Sequence, residues 1–220
     1  VAAPATANSG TAFSTTITAK DAASNTTDSV SGNTTLSVSS GLLDTATLAA
    51  SQFTDDGVWT GNLTISGITE QSTVTLTATN GTATGTDSII VSGTSTAPTI
   101  GSGSALSSTS IRWSFTDNSS YETGFYLYNN AGTLASSSAT ADLTYLDETG
   151  LTPNTQYSGR YVLAYNSVGN SASSSAASAV YTLANLPDSL DALSVSGDQI
   201  TVSWSANSNP AGTEYYVENT

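Results

Sequence analysis

Short runs in which every second residue is apolar constrain this chain more than any other feature. They recur at Phe13-Ser14-Thr15-Thr16-Ile17-Thr18-Ala19, Thr35-Leu36-Ser37-Val38, Asn62-Leu63-Thr64-Ile65, Thr73-Val74-Thr75-Leu76-Thr77-Ala78 and Ser88-Ile89-Ile90-Val91. A period of two puts the apolar side chains on one face of an extended strand and Thr or Ser on the other. Strands dry on one side and wet on the other suit antiparallel sheets packed face to face. No stretch reads as a long amphipathic helix. With 38 Ser and 38 Thr in 220 residues, hydroxyl side chains make up about a third of the chain, enough to coat the outer faces. The fold class expected is all-β, built from tandem antiparallel β-sandwiches.

The vocabulary of catalysis is mostly missing. The chain has no Cys, no Met, no His, and only Lys20, Arg112 and Arg160 as bases against 17 acids. Without His or Cys there is no imidazole base, no thiolate nucleophile and no Zn or Fe site of the usual ligand type. The expectation is a protein that is not an enzyme and carries no cofactor. A net charge of −14 arises from scarce bases, since charged residues are only 9% of the chain. Such a surface repels nucleic acid and anionic membrane. No apolar run approaches the ~18 residues a membrane helix needs, so no membrane insertion is expected of this segment. Absent Cys fits an extracellular protein that relies on core size rather than disulfides.

Two stretches without alternation, Gly93 to Pro98 and Ala184 to Pro187, end in proline, which holds the preceding residue extended. Drawing joints there exposes a repeat. Pro98 and Pro187 are 89 residues apart, and Trp113 and Trp204 are 91 apart. Ile111-Arg112-Trp113-Ser114 matches Val202-Ser203-Trp204-Ser205, and Gly124-Phe125-Tyr126-Leu127 matches Glu214-Tyr215-Tyr216-Val217. The expected division is therefore 1–94, 98–186 and 187–220, the last being the opening third of a second copy. Three strands cannot bury their own face, so the chain is expected to continue beyond Thr220 or to be completed by another chain.

Residues 98–186 resemble a fibronectin type III domain. Trp113 takes the place of the family's strand-B tryptophan. Leu151-Thr152-Pro153-Asn154-Thr155-Gln156-Tyr157 is similar to its tyrosine corner, in which the hydroxyl bonds back to upstream backbone. Ala164-Tyr165-Asn166-Ser167-Val168-Gly169-Asn170-Ser171 resembles strand F and its turn. Between corner tyrosine and asparagine lie eight residues, Ser158 to Tyr165, one more than the family's usual spacing, which predicts a bulge near Gly159. Residues 187–220 keep Trp204 and Tyr215 and are identified as a truncated second repeat. Residues 1–94 resemble the bacterial Ig-like domains of large surface proteins, on Gly10-Thr11-Ala12-Phe13, the turn Lys20 to Thr26, Phe53 to Gly61, and Val74 to Ala78 followed by Gly81. Trp59, Trp113, Tyr157 and Trp204 are the large rings expected in the structural cores.

Adjacent acids at Asp55-Asp56 and Asp147-Glu148 do not make an acid/base pair, because neighbouring side chains on a strand point to opposite faces. Asp21, Asp28, Asp44 and Asp87 are weighed as Ca²⁺ ligands, but no acidic run with loop spacing supports them and no metal site is expected. Lys20 is the sole lysine for an isopeptide and sits beside a predicted turn, which favours a solvated role. Five Asn-X-Ser/Thr sequons, at Asn25, Asn33, Asn62, Asn80 and Asn118, fall mostly in turns.

The sharpest signal is aromatic. By the fibronectin type III resemblance, Phe125, Leu127, Val162 and Ala164 point inward. Tyr126, Tyr128, Tyr161, Leu163 and Tyr165 then form one outward patch on neighbouring strands, which serves either local cross-strand stability or, as an interaction patch, contact with a partner. The function expected is a structural or adhesive spacer segment of a large extracellular bacterial surface or filament protein. Its partners would be neighbouring domains or chains of the same cell-surface assembly. The alternative is an accessory module of a secreted polysaccharide-degrading enzyme, with the tyrosines stacking on glycans.

Overall fold

The computed structural model describes residues 1–27 and 30–218. Contacts divide the chain into two compact units. The first joins Val1–Thr96 with Ser119–Glu122 and Tyr165–Ser171; the second joins Ala97–Asn118, Thr123–Ala164 and Ala172–Thr220. The chain is all-β: no α-helix occurs among the described residues, only a single 3₁₀ turn at Ala50–Gln52.

In the first unit the strands are β1 (Thr6–Asn8), β2 (Ala12–Thr18), β3 (Thr34–Val38), β4 (Leu42–Leu43), β5 (Thr47–Leu48), β6 (Val58–Ser66), β7 (Gln71–Asn80) and β8 (Ala83–Ser92). They form two sheets, ordered β1-β8-β7-β3-β5 and β2-β6-β4. The alternating runs at 35–38, 62–65, 73–78 and 88–91 lie inside β3, β6, β7 and β8. On β7, Val74, Leu76 and Ala78 are buried while Thr73, Thr75, Thr77 and Thr79 are not. The core draws Leu36, Leu48, Val74, Leu76, Ile89 and Val91 from one sheet and Phe13, Ile17, Trp59, Leu63 and Ile65 from the other. Asn80 pairs with Ala83, so β7 and β8 are joined by the two-residue loop Gly81-Thr82. Gly81 has φ +61°, the conformation a two-residue hairpin asks of its first loop residue.

One short ladder departs from the antiparallel pattern. β1 runs parallel to β8, with Thr6 opposite Ile90 and Asn8 opposite Ser92, whereas the other ladders of this unit are antiparallel. Ala2 bridges to Thr16 on β2 before the chain crosses to β8, so the first residues touch both sheets and cover an edge that would otherwise stay open.

The second unit holds β9 (Thr99–Ser107), β10 (Ser110–Thr116), β11 (Gly124–Tyr128), β12 (Leu134–Ser138), β13 (Tyr145–Thr149), β14 (Gln156–Tyr157), β15 (Tyr161–Tyr165) and β16 (Val180–Tyr181), except that Tyr165, the last residue of β15, groups with the first unit. Its sheets are β13-β10-β9 and β12-β11-β15, with β14 and β16 as a separate pair. Ile100, Ile111, Trp113, Phe115 and Leu146 from one sheet meet Phe125, Leu127, Val162 and Ala164 from the other. The rings of Phe115 and Phe125 lie 4.9 Å apart. Trp113 is fully buried and rests on its cross-strand partner Gly103, where a Cβ would come within 2.7 Å of the indole. No larger residue fits there without moving the ring.

The expected bulge near Gly159 is a full break. Gly159 takes φ +68° and the strand breaks, so that β14 pairs with β16 while β15 joins the sheet of β11. Residues 187–218 contribute β17 (Asp188–Ser196) and β18 (Gln199–Ser205), an antiparallel pair. The expected third strand at 214–217 is not formed. Trp204, expected in a core, is 37% exposed and Ile200 71%. The physical reason is that no second sheet covers this strand pair among the described residues; Tyr215 meets the Trp204 ring edge-on at 5.7 Å.

Candidate interaction surface

The five patch residues sit where strand alternation sends them. On β11, Phe125 and Leu127 are fully buried and Tyr126 and Tyr128 half-buried; on β15, Val162 and Ala164 are fully buried and Tyr161 and Leu163 half-buried. The second unit thus carries Tyr126, Tyr128, Tyr161 and Leu163 on the outer face of the β12-β11-β15 sheet. Tyr165, also half-buried, belongs by its contacts to the first unit. The tyrosines lean on one another rather than standing free. Tyr128 stacks on Tyr161 with centroids 5.6 Å apart and planes 16° from parallel, and Tyr126 meets Tyr128 edge-on at 6.2 Å. Leu134, the register partner of Tyr128 on β12, is 49% exposed and widens the apolar strip.

Tyr157 is corrected from buried to half-buried. Its ring packs against the core, and its hydroxyl accepts the Thr152 N–H at 2.8 Å, which closes the corner across five residues. The phenol reaches that amide from the rim of the core.

The charged groups of the second unit are organised in a way the sequence reading missed. Strand β13 sends Asp147 outward and Glu148 inward. Arg112, opposite Asp147 in register, donates to it from Nε at 2.8 Å and Nη2 at 2.9 Å. That fork holds the Asp147 carboxyl below the usual range and raises the Arg112 guanidinium. Arg112 also lies 3.7 Å over the Tyr145 ring. Glu148 is buried and accepts three bonds, from Arg160 Nη2 at 2.6 Å, Arg160 Nε at 3.0 Å and the Trp113 indole N–H at 2.9 Å. Arg160 is itself buried, with its guanidinium 5.1 Å from the Tyr157 ring. The acid pair that might have suggested catalysis is therefore committed to two separate structural bridges.

Of the acids weighed for Ca²⁺, Asp28 lies outside the described residues. Asp21 folds its own turn, accepting from the Ala23 and Asn25 N–H groups at 2.9 Å each; Asp44 accepts from Thr64 N–H at 3.0 Å, and Asp87 from Ala3 N–H at 2.7 Å. Each serves its own local structure. Lys20 is exposed beside the Asp21 turn.

No family model and no curated protein matches the chain. Among solved structures, it is similar to the FN1–FN3 domains of chicken CNTN1, at 18% identity over 83% of this chain and 63% of that one, with a TM-score of 0.37. A titin domain segment is similar at 15% identity over 81% and 61%, TM-score 0.42, and a two-domain fibronectin type III segment of chicken tenascin at 15% over 79% and 94%, TM-score 0.38. These neighbours are tandems of fibronectin type III and Ig-like domains. The chain spans less than two thirds of the length of the first two.

Proposed function

We propose that the chain is a structural and adhesive spacer segment of a large extracellular bacterial surface or filament protein, and that its tyrosine-bearing sheet packs against neighbouring modules or chains of the same assembly. The observation that carries this reading is the outer face of β11 and β15, where the half-buried rings of Tyr126, Tyr128 and Tyr161 and the half-buried Leu163 side chain lie beside exposed Leu134. Tyrosine offers a large rigid apolar face with a polar tip, the residue type that dominates protein contact surfaces. Charge pairing supplies little here, because Arg112 and Arg160 are already held by Asp147 and Glu148. Contact through uncharged aromatic area is what remains.

The test replaces Tyr126, Tyr128, Tyr161 and Tyr165 together by Ser and compares sedimentation of the two chains over a wide concentration range. Self-association that weakens in the variant, with an unchanged far-UV spectrum, supports packing. A chain that stays monomeric throughout and binds a polysaccharide only when the tyrosines are present would replace this reading with the enzyme-accessory one.

A further inference from the structure

Oxidising equivalents that reach this protein have few places to go. Thiols and thioethers are the side chains oxidants consume first, and the chain has no Cys, no Met and no His. Tyrosine and tryptophan are left. Trp59 and Trp113 are buried in the two cores. Tyr128 and Tyr161 are half-buried on an outer face, stacked at 5.6 Å and only 16° from parallel. Near-parallel rings at that spacing fall within the range of offset-stacked aromatic pairs, roughly 4.5–7 Å between centroids. The Tyr161 hydroxyl lies beside the turn that joins β11 to β12, 3.9 Å from where a Cβ on Gly132 would stand.

We propose that Tyr128 and Tyr161 form an oxidative modification site, at which a one-electron haem oxidant acting with hydrogen peroxide joins the two rings as dityrosine and clips β11 to β15. Each phenol gives up one electron and its hydroxyl proton and becomes a phenoxyl radical with spin on the carbons ortho to oxygen. One carbon–carbon bond forms between two such ortho carbons. The hydrogens displaced there move to the oxygens and restore both phenols. The peroxide O–O bond breaks, takes up the two electrons and two protons, and leaves as two waters. The protein loses two hydrogen atoms. Tyr126 is the poorer partner for Tyr128, because it meets that ring edge-on at 6.2 Å from the same strand. The clip ties together strands that are adjacent in the sheet and far apart in sequence, so it restricts the unfolded chain as a disulfide would. It stands independently of the packing reading, since it needs a single chain only.

The test treats the dilute, monomeric 220-residue chain with a haem peroxidase and limiting hydrogen peroxide. Expected are blue dityrosine fluorescence, a mass lower by two hydrogens, and a linked peptide pair containing Tyr128 and Tyr161 after chymotrypsin digestion. The thermal midpoint of the second unit should rise by about 10 °C. Tyr128→Phe and Tyr161→Phe should each abolish the link, while Tyr181→Phe, at a position 56% exposed elsewhere, should leave it intact. Oxidation in urea should scatter the coupling. A link that survives in Tyr161→Phe, coupling mainly between chains, or oxygen addition at Trp204 without dityrosine would each overturn the proposal.

Discussion

Replacing Glu148 by Ala tests the reasoning about the second core most severely. The side chain is 6% exposed and its partner Arg160 11%. Without the carboxylate, the guanidinium keeps only the Ser158 carbonyl at 3.1 Å and the faces of Tyr157 and Trp113. Stranding one partner of a buried ion pair costs ~3–5 kcal/mol. The Trp113 N–H also loses its acceptor in a fully buried setting, which adds ~1–3 kcal/mol. The sum is comparable to the whole stability of a small domain, ~5–15 kcal/mol, so the second unit should be marginal or unfolded while the first is untouched. Urea unfolding followed by tryptophan fluorescence reads this, fitted as two transitions because the two cores are separate. A Trp59→Phe background leaves Trp113 as the buried reporter. The companion variant, Glu148→Leu with Arg160→Met, removes both charges at once and should recover most of the loss, since apolar replacements of whole buried pairs are often neutral or stabilising. A single variant that costs under ~1 kcal/mol, or a double no better than the single, would refute the claim that the pair is a buried and mutually dependent network.

Four further outcomes are expected. Tyr157→Phe should cost about 1 kcal/mol in the second unit by freeing the Thr152 amide, with no change in its denaturant m-value. Thr15→Val should stabilise the first unit by about 1 kcal/mol, because the Thr15 hydroxyl is buried among Phe13 and Ile17 with no hydrogen-bond partner among the described residues, and calorimetry showing a loss would mean that it has one. The Asp147 carboxyl is depressed by its bonds to Arg112 and that of Asp87 by the Ala3 amide, so the stability each contributes is complete above the unfolded carboxylate range near pH 4. Both contributions should fade as pH falls below that range, and a pH titration of the urea midpoint that rises on acidification would contradict the sign. Brief trypsin treatment of the native chain should cut after Lys20 alone, since Lys20 is exposed while Arg112 lies within β10 and Arg160 is buried; a first cut at either arginine, seen by mass, would refute it.

Strand faces were legible in the sequence because alternation records which side is dry: Val74, Leu76 and Ala78 or Phe125 and Leu127 announce an inner face whatever sheet they join. Pairing was less so. That β1 would run parallel to β8, or that one extra residue would break a strand at Gly159, depends on which edges remain open after collapse, and three residues of Thr-Ala-Asn carry no mark of it. The interior ion pair lay between these cases. Glu148 and core residue Leu146 are two apart on one strand and so share a face, which puts an acid inside and demands a base. Lys20 lies in the other sandwich, and Arg112 stands between inward Ile111 and Trp113 and so points out. Only Arg160 was left, three residues past the corner tyrosine. Scarcity of charge thus identifies the partner. It has a consequence for the surface as well: with both arginines held by Asp147 and Glu148, Lys20 is the one base left over against the remaining acids. Two copies of such a chain repel wherever acids face each other, so the packing proposed above calls for uncharged area, which is what the outer face of β11 and β15 offers on the second unit.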